Sequence, residues 1–339
     1  GAGNAAPARG GNAIRACAVL PAATGNFGKP GSGLYYLNLA GSVRGIDDAY
    51  VPAPHLRRAE AQTISHMDLA EWLEYPTRVE ALFCWNINPA PSNPQQTRLR
   101  RALGREDLFT VVCDLFLTDT ADFADLVLPA ASFLEFDDLV TSYFNLTIGP
   151  QVKVQDPMGD SLPNQEIFRR LARAMGYEEP ELYESDASII EHLLRGTSFA
   201  GGFEALKRTG TVFAAPEPVI QFADLNFPTP SGRIEIASAL AEADGHPRLP
   251  QPIADPRPSL PKLRLLSPAS YWLMNHSFGN DSRILAQLGS ATVALHPEDA
   301  AALGLAEGDE ARLTNETGEL MLQVRLSDEI LPGVALAHK

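Results

Sequence analysis

The sequence predicts an α/β fold: a doubly wound, mostly parallel sheet, followed by a small β-barrel with one short helix. Three observations carry that reading. Apolar runs at 79–85, 108–113 and 125–129 are separated by stretches of helical character, and alternating strands and helices build parallel sheets. Residues 246–261 then hold six prolines, the composition of an extended, semi-rigid linker between domains. Beyond it the pattern turns mostly β, with Leu320, Leu322, Val324 and Leu326 alternating onto one face. The implied division is an α/β region at 1–245, a linker at 246–262 and a barrel at 263–339, the last incomplete.

The elements follow in order. Residues 12–23 read as a helix with Asn12 as N-cap. The glycine-rich loop Thr24-Gly25-Asn26-Phe27-Gly28-Lys29-Pro30-Gly31-Ser32-Gly33 ends it, since glycine-rich backbone leaves the helix and approaches neighbours closely. The apolar run 79–85 predicts a strand covered on both faces, with Phe83 and Trp85 in the core. Asn86-Ile87-Asn88-Pro89 breaks it, and Ser92 or Asn93 caps a helix with Pro94 near its first position, closed by Gly104. A second strand, 108–113, closes on Asp114; a short helix at 120–124 leads to a third strand at 125–129. Asn164 opens a helix whose apolar face is Ile167, Leu171 and Met175, stopped by Gly176. After the linker come strands at 263–266 and 291–295, a helix at 297–301 and a strand pair at 310–315 and 319–326 around Gly318.

Composition excludes several classes. A chain of 339 residues exceeds one ordinary core, and 45% apolar with 20% charged content is that of a globular protein. A formal net charge of −15 disfavours nucleic acid as a partner. No apolar run approaches the roughly 20 residues that span a bilayer. Cys17, Cys84 and Cys113 are far apart and form no CxxC pair, so they read as three buried, reduced thiols and not as a disulfide or metal framework. The absence of an initiating Met and the stop within a strand-like stretch read as two cut ends.

Ligands bind parallel sheets beyond the carboxyl ends of the strands. Asn88 and Asp114 stand there, at the ends of successive strands. No GxGxxG or GxxxxGK[ST] occurs, so neither a dinucleotide fingerprint nor a P-loop is supported. Asp299 reads as a first-turn carboxylate favoured by the helix dipole, and Asp137-Asp138 as a solvated loop.

An ordered set of motifs goes further. Thr24-Gly25-Asn26-Phe27-Gly28-Lys29-Pro30-Gly31, Asn88-Pro89 with Ser92 and Pro94, and Asp114 through Leu128-Pro129 with Thr118, Thr120-Ala121 and Ala124-Asp125 lie in sequence. Glu135, Thr229-Pro230-Ser231-Gly232-Arg233-Ile234-Glu235, His296-Pro297-Glu298-Asp299-Ala300, Gly308-Asp309 and Pro332-Gly333 complete the set. In this order they resemble the later part of molybdopterin oxidoreductase catalytic subunits, the dimethyl-sulfoxide-reductase superfamily. The resemblance implies a barrel of double-psi type and a bis(molybdopterin guanine dinucleotide) cofactor carrying molybdenum or tungsten. It also implies two-electron redox chemistry on a small-molecule substrate, of formate-dehydrogenase or oxyanion- and sulfur-compound-reductase type.

It implies site residues as well. Asn88 would meet one nucleotide, and Cys113 and Asp114 its ribose and guanine. A carboxylate suits guanine because it can accept from N1–H and the exocyclic amine together. Asn164 falls where many relatives carry a guanine-binding Asp. Ser267, Pro268, Asn275, His276 and Ser277 match a loop lining the pterins, and Gly3 a glycine at the pterin edge. The metal ligand and the cysteines of a [4Fe-4S] cluster lie upstream in the family, so no catalytic or metal-ligating residue is expected in this chain. An electron-transfer subunit with iron–sulfur clusters is the implied partner, with no membrane insertion and a cytoplasmic location, the periplasm being the alternative. The competing reading is a non-catalytic scaffold and electron-relay relative, such as a large subunit of respiratory complex I.

Overall fold

The computed structural model describes residues 10–34, 44–47, 49–59, 61–143, 145–215, 219–251 and 258–338. Two compact units interleave along the chain. One comprises Gly1–Arg57, Phe133–Asp156 and Gln165–Asp255, the other Arg58–Ser132, Pro157–Asn164 and Pro256–Lys339. These units do not follow the serial order 1–245, 246–262 and 263–339, because the chain leaves and re-enters each of them. Within the proline-rich stretch, residues 252–257 lie outside the described residues. No described helix is long and apolar enough to cross a membrane.

Helix α1 (Gly10–Ala23) opens the first unit. Asn12 lies inside it and does not cap it: its side chain exchanges hydrogen bonds with the backbone of Gln251, donating at 2.6 Å and accepting at 3.3 Å. The Cys17 thiol on this helix is exposed, unlike the buried Cys84 and Cys113, so three buried thiols is corrected to two. The glycine-rich loop that follows packs on residues 222–232. Gly28 sits at φ +70°, and a Cβ there would stand 2.8 Å from the Phe222 carbonyl oxygen, so only glycine fits. Phe27 meets Phe222 and Phe227 edge-on, with ring centres 6.2 and 5.8 Å away.

The second unit begins with α2 (Leu69–Leu73), β1 (Ala81–Trp85), α3 (Pro89–Ser92), α4 (Gln96–Leu103), β2 (Phe109–Asp114) and β3 (Leu126–Pro129). The three strands form a parallel sheet in the order β1-β2-β3, with Cys84 opposite Val112 and Val112 opposite Val127. Leu82 packs with Leu73, Leu99, Leu103 and Leu108 from one face, and full burial of each leucine side chain contributes about 1.5–3 kcal/mol. The opposite face of β1 differs from expectation: Phe83 is 38% and Trp85 49% exposed. They alternate with Leu82 and Cys84 and so point to the face opposite the one on which Leu82 meets the helical core. The helix after β1 also differs. It forms in two pieces separated by Gln95 at φ +58°. Asn93 ends the first piece, its N–H donating to the Pro89 carbonyl, and its side-chain amide donates to the His66 carbonyl at 2.7 Å, so the N-cap position of α4 falls to Gln95.

The first unit resumes with β4 (Asp138–Thr141), β5 (Thr147–Gln151), α5 (Asn164–Met175), α6 (Asp186–Arg195), α7 (Phe203–Thr209), β6 (Val212–Phe213) and α8 (Ala239–Ala243). Asn164 itself is counted with the second unit. The antiparallel sheet β4-β5-β6 carries Ile148 into a core with Ile190, Leu194, Phe203 and Leu206. The Ser185 hydroxyl caps α6 by accepting from Ser188 N at 3.2 Å. Asp137 is no solvated loop residue: it pairs with Lys207 at 2.6 Å and accepts from Lys153 N at 2.8 Å. On α5 only Ile167 of the expected apolar face is buried, joined by Ala172, while Leu171 and Met175 face solvent.

The second unit ends with β7 (Arg264–Leu266), α9 (Ser282–Leu288), β8 (Thr292–Leu295), α10 (Pro297–Ala302), β9 (Glu310–Asn315), β10 (Gly318–Leu326) and β11 (Val334–Leu336). Their five-stranded sheet, ordered β7-β11-β8-β10-β9, curls as a half-barrel with two open edges among the described residues. Asn315 makes the β9–β10 turn by accepting from Thr317 N and Gly318 N at 2.9 and 3.0 Å. Leu322 and Val324 are buried with Val293 and Leu295, whereas Leu320 and Leu326 on the same face run past the core. Asp299 does more than favour a helix dipole: it is buried, and its Oδ2 accepts from Gly333 N at 2.7 Å, tying α10 to the approach to β11.

Candidate functional site

Beyond the carboxyl ends of β1 and β2, the second unit gathers amide, carboxylate, thiol and imidazole groups. Asn86 leaves the sheet at φ +51°, a left-handed conformation that asparagine tolerates. Its N–H donates to the Cys113 carbonyl at 3.1 Å, so the turn starts directly at the strand end. Asn88 is then held by Thr120, whose N–H and hydroxyl both donate to Asn88 Oδ1, at 3.1 and 2.6 Å. The same hydroxyl oxygen accepts from Ala90 N at 3.1 Å. Asn88 Nδ2 donates to Asp119 Oδ2 at 3.4 Å, leaving one side-chain N–H among the described contacts.

Asp114 ends β2. Its Oδ1 accepts from Leu115 N at 2.7 Å and Phe116 N at 3.4 Å, which orients the carboxylate. Among the described residues Oδ2 takes no hydrogen bond, so an acceptor edge remains. The Cys113 thiol is pushed upward, first by burial and then by the Asp114 charge. It therefore stays protonated and donates to Asn164 Oδ1, with sulfur and oxygen 3.7 Å apart. Asn164 Nδ2 in turn donates to Asn86 Oδ1 at 3.5 Å. Asn164 thus bridges the ends of the two strands.

The third contributor is the loop after β7. Asn275 adopts φ +57° in a tight turn closed by Ser277 N donating to the Met274 carbonyl at 3.0 Å. His276 is half-buried, with Nε2 3.1 Å from Asp119 Oδ2, and Asn280 Nδ2 donates to the Leu117 carbonyl at 3.1 Å. Gly279 leaves room for this ring, since a Cβ there would lie 2.7 Å from His276 Nε2 and would displace it. Burial works against the Asp119 carboxylate, but hydrogen bonds from Asn88 and its own backbone, with the charge and hydrogen bond of His276, hold it below its usual range.

The structure thus connects Asn88, Cys113, Asp114, Asn164 and His276. Asn275 and Ser277 flank His276 on the surface. Ser267 and Pro268 follow β7 and are exposed, with no hydrogen bond to this network among the described residues. Gly3 lies outside the described residues. Three participants were not assigned a role from sequence: Asn86, Asp119 and Thr120. Thr120 belongs to the quoted motif and Asp119 fills its one variable position between Thr118 and Thr120, but neither reveals its partner locally. Among the described residues no group of three His, Cys, Asp or Glu side chains is placed to hold a metal ion.

With this geometry in view, comparison with known proteins identifies the class. Residues 1–174 match the family model described as molybdopterin oxidoreductase, and residues 263–339 the one described as molydopterin dinucleotide binding domain. The chain belongs to the molybdopterin oxidoreductase family. It is 32% identical over 336 residues to "Probable oxidoreductase YoaE" of Bacillus subtilis, covering 97% of this chain and 49% of that protein. It is 26% identical over 350 residues to "F420-dependent formate dehydrogenase 1 subunit alpha" of Methanococcus maripaludis, covering 95% and 50%. Among solved structures, "Acetylene Hydratase from Pelobacter acetylenicus" shares the fold with a TM-score of 0.68 and 21% identity, covering 89% of this chain and 43% of that one. The chain spans about half the length of the curated relatives it matches.

Proposed function

We propose that this chain forms the nucleotide-holding part of a molybdenum or tungsten oxidoreductase that carries bis(molybdopterin guanine dinucleotide). The observation that supports it most is the open acceptor edge of Asp114 at the carboxyl end of β2, beside the oriented amide of Asn88. The donor and acceptor set fits a guanine nucleotide. Asp114 offers a carboxylate oxygen for a donor edge, Asn88 an N–H for an oxygen acceptor, and His276 a ring nitrogen at the rim.

When bound, the cofactor supplies two-electron transfer, with or without an oxygen atom. The protein residues bind and orient. Asp114 accepts from the base, while Thr120 holds Asn88 in one amide orientation. Asn164 and the Cys113 thiol join the ends of β1 and β2 so that the two loops keep their spacing. The substrate class is a small molecule, formate or an oxidised nitrogen or sulfur compound. This follows relatives named formate dehydrogenase and "Dimethyl sulfoxide/trimethylamine N-oxide reductase". An iron–sulfur domain and an electron-transfer subunit complete the proposed whole.

The test is to purify the full-length parent, oxidise it and quantify fluorescent pterin, released GMP and bound metal per polypeptide. Two GMP and two pterins for each molybdenum or tungsten are expected. A parent purified without pterin from cells that make the cofactor would overturn the reading.

A further inference from the structure

We infer that Asp119 is the positioning residue that sets the Asn88 and His276 loops as one unit for the nucleotide. The inference rests on the proposed nucleotide-holding role and goes beyond it by naming a residue that faces the other binding groups. One oxygen, Asp119 Oδ2, lies 3.4 Å from Asn88 Nδ2 and 3.1 Å from His276 Nε2. A half-buried carboxylate between two donors orients both, because hydrogen bonds to a charged acceptor are stronger and more directional than neutral ones.

The neighbours of Asp119 repeat the link on either side. The Leu117 carbonyl accepts from Asn280 on the His276 side, and Thr120 donates twice to Asn88 on the other. Residues 117–120 therefore form a seam between a turn at the end of β1 and a loop more than 150 residues later in the chain. With Nε2 engaged by Asp119, the ring keeps Nδ1 as its remaining polar edge. With Oδ1 engaged by Thr120 and one N–H by Asp119, Asn88 keeps a single donor. Asp119 acts through both residues and is not itself a ligand contact.

The test uses the full-length parent with Asp119→Ala, Asp119→Asn, His276→Ala, the double variant Asp119→Ala/His276→Ala, and Asp114→Ala for reference. Two readouts are taken: pterin and GMP retained per polypeptide after desalting, and hydrogen–deuterium exchange of peptides covering 86–90 and 274–281. Asp119→Ala should raise exchange in both peptides and lower retention about fivefold. Asp119→Asn, whose amide oxygen can take both hydrogen bonds, should restore at least half of the retention. The double variant should retain no less than the worse single variant, within about twofold, since coupled residues are non-additive. Unchanged exchange at 274–281, no rescue by Asp119→Asn, or multiplicative losses in the double variant would each overturn the inference. Full retention in Asp114→Ala would instead count against the underlying nucleotide reading, and the exchange readout would still judge Asp119.

Discussion

Asn88 Oδ1 is engaged twice by Thr120, by the backbone N–H at 3.1 Å and by the hydroxyl at 2.6 Å. This fixes which end of the Asn88 amide faces inward. The sequence places Asn88 at a strand end, but only this pairing shows that its oxygen is already committed and that a donor is what it can offer a ligand.

Thr120→Val keeps the shape and the backbone N–H but removes the hydroxyl. The Ala90 N–H then loses its acceptor in a fully buried position, which costs about 1–3 kcal/mol. Urea denaturation of the purified protein should show that loss, and Thr120→Ser should show much less. A valine variant as stable as the parent would contradict the assignment.

Asp114→Ala removes the one carboxylate with an open edge at the end of β2. In the full-length protein, the proposed nucleotide binding should weaken by roughly 2 kcal/mol, typical of a lost hydrogen-bonding partner that carries charge. Pterin occupancy measured after dilution reads this directly, and equal occupancy in variant and parent argues against contact with the base.

Glu74 supplies a pH test away from the site. Hydrogen bonding from Arg98, opposed by burial and helped by Arg101, lowers its carboxyl from 4.5 to about 2. A carboxylate depressed by folding adds stability that is fully present above its unfolded value near 4.5 and is lost as the pH falls toward about 2. Glu74→Gln should be less stable at neutral pH by about 1–2 kcal/mol, discounted because the Arg101 side is solvent-exposed. The difference should close as acid is added. Melting temperatures of both proteins across this range check the sign.

Gly279→Ala should move the His276 ring, because the added Cβ would fall 2.7 Å from Nε2. The expected result is a broken His276–Asp119 contact with the barrel core intact. Faster hydrogen exchange confined to 274–281 would show it, and a crystal structure of the variant with the 3.1 Å contact preserved would refute it.

The legible part of this protein is the local part. Apolar runs located β1, β2 and β3 within one to two residues, and β9 was placed at its observed bounds, because strand periodicity and turn residues act over a few neighbours. The ordered motifs likewise pointed to the family that the matches to residues 1–174 and 263–339 show. Errors arose where a residue's surroundings come from elsewhere. Phe83 and Trp85 look like core residues, yet they alternate with Leu82 and Cys84 and are 38% and 49% exposed. Asp137 looks solvated, yet Lys207 reaches it from α7.

The site divides in the same way. Sequence alone set Asn88 and Asp114 at successive strand ends, since chain direction and strand length are local properties. Only the tertiary structure decided that Asp119 stands between Asn88 and His276. Those two residues are 188 positions apart, from 276 minus 88, and nothing in the short-range pattern of either encodes the other. Hydrogen bonds at 3 Å are set by how the folded loops meet, and that depends on packing summed over the whole unit.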